Sequence, residues 1–496
     1  MASAQPAAAS SQPCAATAAS VVQGPRFAAV QERPLASGMR LEVAEKHQMA
    51  VVHLALVIRG GGWADRPGVA ALTAELVANG AAAFPDGPDS SWPTALAPLG
   101  GELEVRTERT DTVFELDVSR EHWAEAARAL ALMMGRGRLG GRSFAAARDH
   151  AMREAMQQPL EPYGWAGPEL LERTLLGGAA AWRATRQELA RDRLEHCARY
   201  YRSHYHAKAA TLLVVGDVAG SEVERVVSAA FATAPQQSTD EQQAAPERGP
   251  GERHAAPSVA ADGKGQVVEH PASISLLDRP LAAVSTAYVG LLAPQATLQR
   301  IVAIGLWAEA WTGAEASTLG RKLAAVGAEL HAELVLQPKA VSLIELRLVA
   351  TPERFDAALD VLLDSLRELR THPVSESEVS LARRALLTAL TRDAERSATV
   401  ARRIELGQQL ELGAGFYDSY GALLEATDGA AIASIGASAA LHAPSIVVVG
   451  DARMLLAPLT RRANVVLRDA SSGFEVSGTF AKQSASTAPA KPTAVR

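Results

Sequence analysis

The strongest constraint on this chain is that it runs through one pattern twice. The quartet Val214, Val215, Gly216, Asp217 returns as Val448, Val449, Gly450, Asp451. Upstream, LGGELEVRTERTDTVFELDVSREHWAEAARALALMM is answered by VGAELHAELVLQPKAVSLIELRLVATPERFDAALDVLLDSL, and RSFAAARDHAMREAM by ESEVSLARRALLTAL. Gly101 and Gly327, Arg148 and Arg383, and Gly216 and Gly450 are 226, 235 and 234 residues apart. Three anchors of different composition at nearly one spacing read as an internal duplication. Any fold must therefore be two similar bodies in tandem.

Each repeat reads as two alternating strands followed by an amphipathic helix. That pattern predicts an α+β class: two homologous domains, each a mostly antiparallel sheet with helices on one face. Low-complexity stretches set the boundaries. Residues 1–26 (Ala, Ser, Pro and Gln) form an expected disordered leader, and 236–271 a Pro/Gly-rich flexible linker. Residues 471–496 form an expected disordered tail. The two domains then occupy 27–235 and 272–470. The two Val-Val-Gly-Asp runs read as interior strands ending in a turn, with the Asp at the turn or capping the next helix.

Of 496 residues, 48% are apolar and 21% charged, and the net charge of −6 is spread without a basic stripe, which argues against nucleic-acid binding. Cys14 and Cys197, the only cysteines, lack metal or redox spacing. No run reaches the roughly 20 apolar residues that span a bilayer. The N-terminus has no signal-peptide pattern, so a cytoplasmic location is expected, or a periplasmic one if the true start lies upstream.

The segment HLALVIRGGGWADRPGVA, the helix closed by Gly80, the LGGELEV strand and YYRSHYHAKAATLLVVGDV together resemble the insulinase/pitrilysin zinc peptidases, over nearly all of 27–468. The resemblance implies two halves arranged as a clam. It also implies a helix beginning Gly-Leu-Ala-His-x-x-Glu-His, with a Gly nine residues past the first His. Two His four apart on a helix share one face and one zinc, and the Glu acts as general base. Here Gly68 and Gly80 set the register, and the first His position is Ala71, the base position Ala74 and the second His position Glu75. A methyl group cannot ligate zinc. Glu154 matches the later glutamate ligand and is a remnant at most, and no metal is expected in this chain.

Three further positions are candidate substrate contacts. Glu104, followed by Val105, stands where the family's edge strand has Asn-Ala, and puts a charge where a peptide backbone is held. Arg321 and Lys322 lie one turn before Ala324, which replaces the family's Arg. His150 with Glu154, and His204 with His206, could form a relocated metal site, with solvated pairs as the plainer reading. Three functions are expected, in order. The first is an inactive subunit paired with a zinc-bearing homologue, the metal residing in that partner. The second is a stand-alone peptide- or protein-binding scaffold. The third is a divergent metallohydrolase. The chain alone is not expected to be an enzyme.

Overall fold

A computed structural model describes residues 29–82, 90–136, 139–157, 164–176, 182–232, 273–293, 297–313, 317–336, 342–369, 371–413, 416, 419–440 and 444–483. The expected leader and linker lie outside these residues. No described helix is long and apolar enough to cross a membrane.

The first half opens with β1 (Val30–Pro34), β2 (Arg40–Glu45), β3 (Val51–Arg59) and α1 (Val69–Ala78). Short β4 (Ala81–Ala82), β5 (Ser90–Ser91) and α2 (Trp92–Leu96) lead to β6 (Glu104–Thr107) and β7 (Asp111–Ser119). Then come α3 (Trp123–Arg136), α4 (Gly141–Gln157), α5 (Ala166–Leu176), α6 (Arg186–Arg191) and α7 (Leu194–His204). β8 (Ala210–Gly216) and α8 (Gly220–Ala230) complete it. The second half runs β9 (Ser273–Asp278), β10 (Ser285–Ala293), α9 (Leu298–Thr312), α10 (Thr318–Ala325), β11 (Ala328–Val335) and β12 (Ser342–Ala350). Helices α11 (Pro352–Glu368), α12 (Glu376–Glu395), α13 (Ser397–Gln409), α14 (Tyr420–Ala426) and α15 (Gly429–Ala440) follow. The last elements are β13 (Ser445–Gly450), α16 (Ala452–Arg462), β14 (Asn464–Asp469) and β15 (Glu475–Phe480).

The first sheet has six strands in the order β1-β2-β8-β3-β7-β6, the second seven in the order β11-β12-β10-β13-β9-β14-β15. The series β2-β8-β3-β7-β6 and β9-β13-β10-β12-β11 correspond strand for strand, each with one parallel pair followed by antiparallel ones. The halves differ at the edge beside this series. There β1 joins the first sheet from upstream, while β14 and β15 join the second from the end of the chain.

Alternation along each strand divides it between two apolar clusters. Leu54, Leu56 and Ile58 of β3 face the half's own helices and pack on Ala127 and Leu130 of α3. Ala55 and Val57 face the other way, and there Val400, Ala401 and Ile404 of α13 cover them. The second sheet mirrors this. Ile344, Leu346 and Leu348 pack under Leu359 and Leu362 of α11, whereas Leu343, Tyr288, Val447 and Val449 receive Leu170 and Leu171 of α5. Each sheet is thus roofed on its second face by a helix from the other half. The expectation of helices on one face describes each half's own helices; the exchange supplies the rest.

Close packing makes the exchange specific. A Cβ at Gly167 would lie 2.2 Å from the Tyr288 ring, and one at Gly290 would lie 2.5 Å from Leu175 Cδ1. The end of the chain completes the seam. Phe474, 4% exposed, sits edge-on to Trp165 at 6.2 Å, with the Arg173 guanidinium 5.0 Å from its ring centre. The expectation of a disordered tail from 471 is therefore corrected: a 3-10 turn and β15 carry order as far as residue 483, because Phe474 gains apolar cover.

The exchange has a measurable signature. Gly167→Val should cost about 2–3 kcal/mol by overpacking, and Ile404→Ala about 2–4 kcal/mol by leaving a cavity. Gly141→Ala, with nothing within 4 Å of its Cβ, should be neutral. Urea unfolding of the three variants checks this; equal stabilities would refute the packing account.

Candidate peptide cleft

Gly68 takes φ 89° at the start of α1, and a Cβ there would meet Ala184 Cβ at 2.6 Å. The glycine lets α1 begin tightly against residues 184–189. The helix then buries Val69, Ala70, Leu72, Thr73, Ala74, Leu76, Val77 and Ala78, leaving Ala71 exposed and Glu75 half-buried. Positions 71 and 75 thus share the open face, as four-residue spacing requires. Ala74, 1% exposed, belongs instead to the first half's core with Val69 and Val77. Hydrocarbon packing occupies the place expected for a general base.

Ala71 and Glu75 look onto a cleft of about 880 Å³, walled by Val105 of β6, His150 and Glu154 of α4, and Trp165. Glu75 Oε1 lies 3.4 Å from His150 Nδ1. Burial raises the Glu75 carboxyl above its ordinary value, with His150 opposing and Glu154 adding to the rise. The expected His150–Glu154 pair therefore has a third member. That member could be anticipated only from the resemblance, which brings the second-ligand position on α1 near the third-ligand helix.

A zinc ion does not fit this donor set. Ala71 offers no lone pair, and among the described residues no group of three or more His, Cys, Asp or Glu is placed to hold a metal ion. His204 and His206 line neither this cleft nor the one between the halves described below. The His204 ring stacks on Tyr200 at 4.2 Å, and its Nδ1 lies 3.0 Å from the Tyr200 carbonyl oxygen. Burial lowers both histidines below the usual imidazole value. His150, Glu154, His204 and His206 thus do not converge.

None of the three substrate-contact candidates lines this cleft. Glu104 sits opposite Glu115 in the β6–β7 register, and its side chain lies on the far side of the strand from α1. Leu103, Val105 and Thr107 face the cleft instead, because alternation sends every second residue to one face. Arg321 and Lys322 are exposed on α10 in the outer helix layer. Lys322 Nζ pairs with Glu368 of α11 at 3.1 Å, and Arg321 donates to Thr318 Oγ1 at 3.2 Å. Neither lines either cleft.

Charges absent from the sequence reading tie the halves together. Arg106 of β6 pairs with Glu405 of α13, and its Nε lies 3.1 Å from Glu115 Oε1. Arg402 Nη2 of α13 reaches the same oxygen at 3.0 Å; against the cost of burial, Arg106 first and then Arg402 hold the Glu115 carboxyl below its ordinary value. Near α5, Arg109 donates from Nε to the buried Glu172 at 3.0 Å. Glu345 of β12, 6% exposed, is pushed up to about 7 by burial, with Glu333 and Glu172 adding to the rise.

The family model described as the peptidase M16 inactive domain matches residues 193–386. Two solved structures share the fold. A peptidase M16 inactive domain from Pseudomonas fluorescens has a TM-score of 0.68 at 16% identity, covering 85% of this chain and 98% of its own. A protease from Helicobacter pylori has a TM-score of 0.69 at 13% identity, covering 85% and 99%. No curated protein matches the sequence.

Two outcomes follow. Elemental analysis of purified protein should give zinc well below one per chain, unchanged by His150→Ala; stoichiometric zinc lost in that variant would contradict the donor-set argument. For Glu345, the native state holds a proton that the unfolded chain has released, from about pH 4.5 up to about 7. Stability therefore falls as pH rises through that window. Glu345→Gln should raise stability by up to about 3 kcal/mol above pH 7 and by nothing below pH ~4.5, read from denaturant midpoints against pH.

Proposed function

We propose that this chain, which shares its fold with a peptidase M16 inactive domain and matches that family model over residues 193–386, is the non-catalytic member of a peptide-processing pair. The partner is a homologous subunit that carries the zinc. One observation carries the reading: the cleft persists while its chemistry does not. Trp165, Val105 and Leu103 still line a groove beside the edge strand β6, yet the facing helix offers Ala71 and Glu75, with Ala74 sealed in the core. An aromatic and apolar groove at a sheet edge suits an extended peptide, whose backbone can pair with the strand. Such a groove holds and aligns, and hydrolysis falls to the partner's metal.

The helix exchange supports this division of labour. It covers apolar patches on the inner faces of both sheets within one chain, so a partner must meet surfaces outside that seam. The stand-alone scaffold differs from the pair in a single result. Co-expression with a homologue bearing His-x-x-Glu-His should yield a stoichiometric complex with chelator-sensitive peptidase activity. In it, Trp165→Ala should raise KM about three- to tenfold with little change in kcat, since a lost apolar contact weakens binding uniformly. Peptide binding without any such complex would favour the scaffold.

A further inference from the structure

A second cleft, of about 650 Å³, opens between the halves, and one of its walls is the corner where α12 ends and α13 begins. Docking of α13 on the first sheet holds that wall in place. Val400, Ala401 and Ile404 supply the apolar part of the contact, against Ala44, Ala55, Val57 and Val113. The polar part carries more acid than base.

Strand alternation sends Asp111 and Glu115 of β7 to the same face as Val113, and Glu42 of β2 to the same face as Ala44. Glu405 comes down from α13 itself. Glu42, Glu115 and Glu405 are each 3% exposed and Asp111 5%. Two guanidiniums serve these four carboxyls. Arg106 pairs with Glu405 and with Glu108 of the β6–β7 turn, and its Nε lies 3.1 Å from Glu115 Oε1. Arg402 Nη2 lies 3.0 Å from that same oxygen. Gln409 Nε2 donates to Glu405 Oε1 at 3.2 Å but brings no charge.

Four ionised carboxylates against two guanidiniums leave two negative charges buried without a cation, and Glu108 adds to the excess. Other groups around the contact do not cancel it. Arg40 of β2 and Arg59 of β3 are exposed, and the neighbour on β1, Glu32, has the wrong sign. Lys46 Nζ donates to the carbonyl oxygens of Ala394 and Glu395 at the end of α12, and Arg403 pairs with Asp393. His53 of β3 stands 3.6 Å from Glu115, but Asp117 lies 3.0 Å from its other nitrogen. A buried carboxyl with no cation takes up a proton. Burial raises both Glu42 and Glu405 to about 7, against the opposing pull of Gln408 on the first and Arg106 on the second. Burial raises Asp111 too.

We propose that α13 is a latch on the first sheet, held shut by protons on Glu42 and Glu405 and loosened when they leave. Docked, these carboxyls keep their protons to about pH 7; lifted into water, they release them near the ordinary value of 4.5. The docked state therefore binds more protons, so docking weakens as pH rises from about 4.5 to about 7 and changes little beyond. Lifting bares Ala55, Val57 and Ile404 and moves the wall of the inter-half cleft. The latch lies within this chain, so it stands or falls separately from the pairing proposed above.

Hydrogen exchange of the full chain, followed by mass spectrometry at about pH 5 and about pH 8 and corrected for the intrinsic exchange rate, tests it. Between the two conditions α13 should lose about tenfold more protection than α3, which belongs to the first half's own core. Glu42→Gln, a neutral mimic of the protonated side chain, should cut that excess loss at least threefold. Glu42→Gln with Glu405→Gln should abolish it. Glu102→Gln, exposed in the same cleft, and Glu345→Gln, beneath the other sheet, should each leave the excess as it is. Equal losses in α13 and α3, tighter protection of α13 at the higher pH, or an undiminished excess in the double variant would each overturn the latch.

Discussion

The structure depends on a trade of helices. A sheet covered on one face only must leave its second apolar face wet or hide it. Here each half hides the other's: Ile404 of α13 lies over Ala55 and Val57, and Leu171 of α5 lies over Tyr288 and Val447. Each half holds its own larger core, and each sheet's second face is completed only by a helix from the other half. The residues that allow close contact are small, Gly167 and Gly290. The residues that set orientation are charged, with Arg106 meeting Glu405 and Arg402 meeting Glu115 across the seam.

Function follows from what the trade leaves open. The α1 cleft keeps a sheet edge, two tryptophans and an acidic mouth. Facing it, α1 presents the methyl of Ala71 and the carboxylate of Glu75, while Ala74 packs into the core. Glu75 and Glu154 add charge to the cleft without converging on a metal. The inter-half cleft is a different kind of opening, built by the exchange itself, since its walls come from a strand of one half and a helix corner of the other.

Much of this was legible in the sequence where one residue type serves one local purpose. Gly68 and Gly80 bracketed α1, and strand alternation located β6, β7, β11 and β12. Asp451 does cap α16, accepting from the Arg453 amide at 3.0 Å. Its counterpart Asp217 does not cap α8; it binds His47 Nδ1 at 2.7 Å and Arg120 at 2.9 Å. What could not be read was anything that depends on chain segments far apart meeting. Glu104 faces away from the cleft because pleating, not spacing from the glycines, sets its side. Lys322 found Glu368, 46 residues on. Phe474 looked like the start of a tail because its partners, Trp165 and Arg173, are some three hundred residues upstream.

The central claim is that this chain holds peptides and does not cut them. Mass spectrometry of a peptide mixture incubated with the isolated protein, with and without added zinc, tests it most directly. The account predicts that every peptide survives intact in both arms while a subset is retained on the protein. New peptide termini that appear with zinc and vanish with a chelator would contradict it.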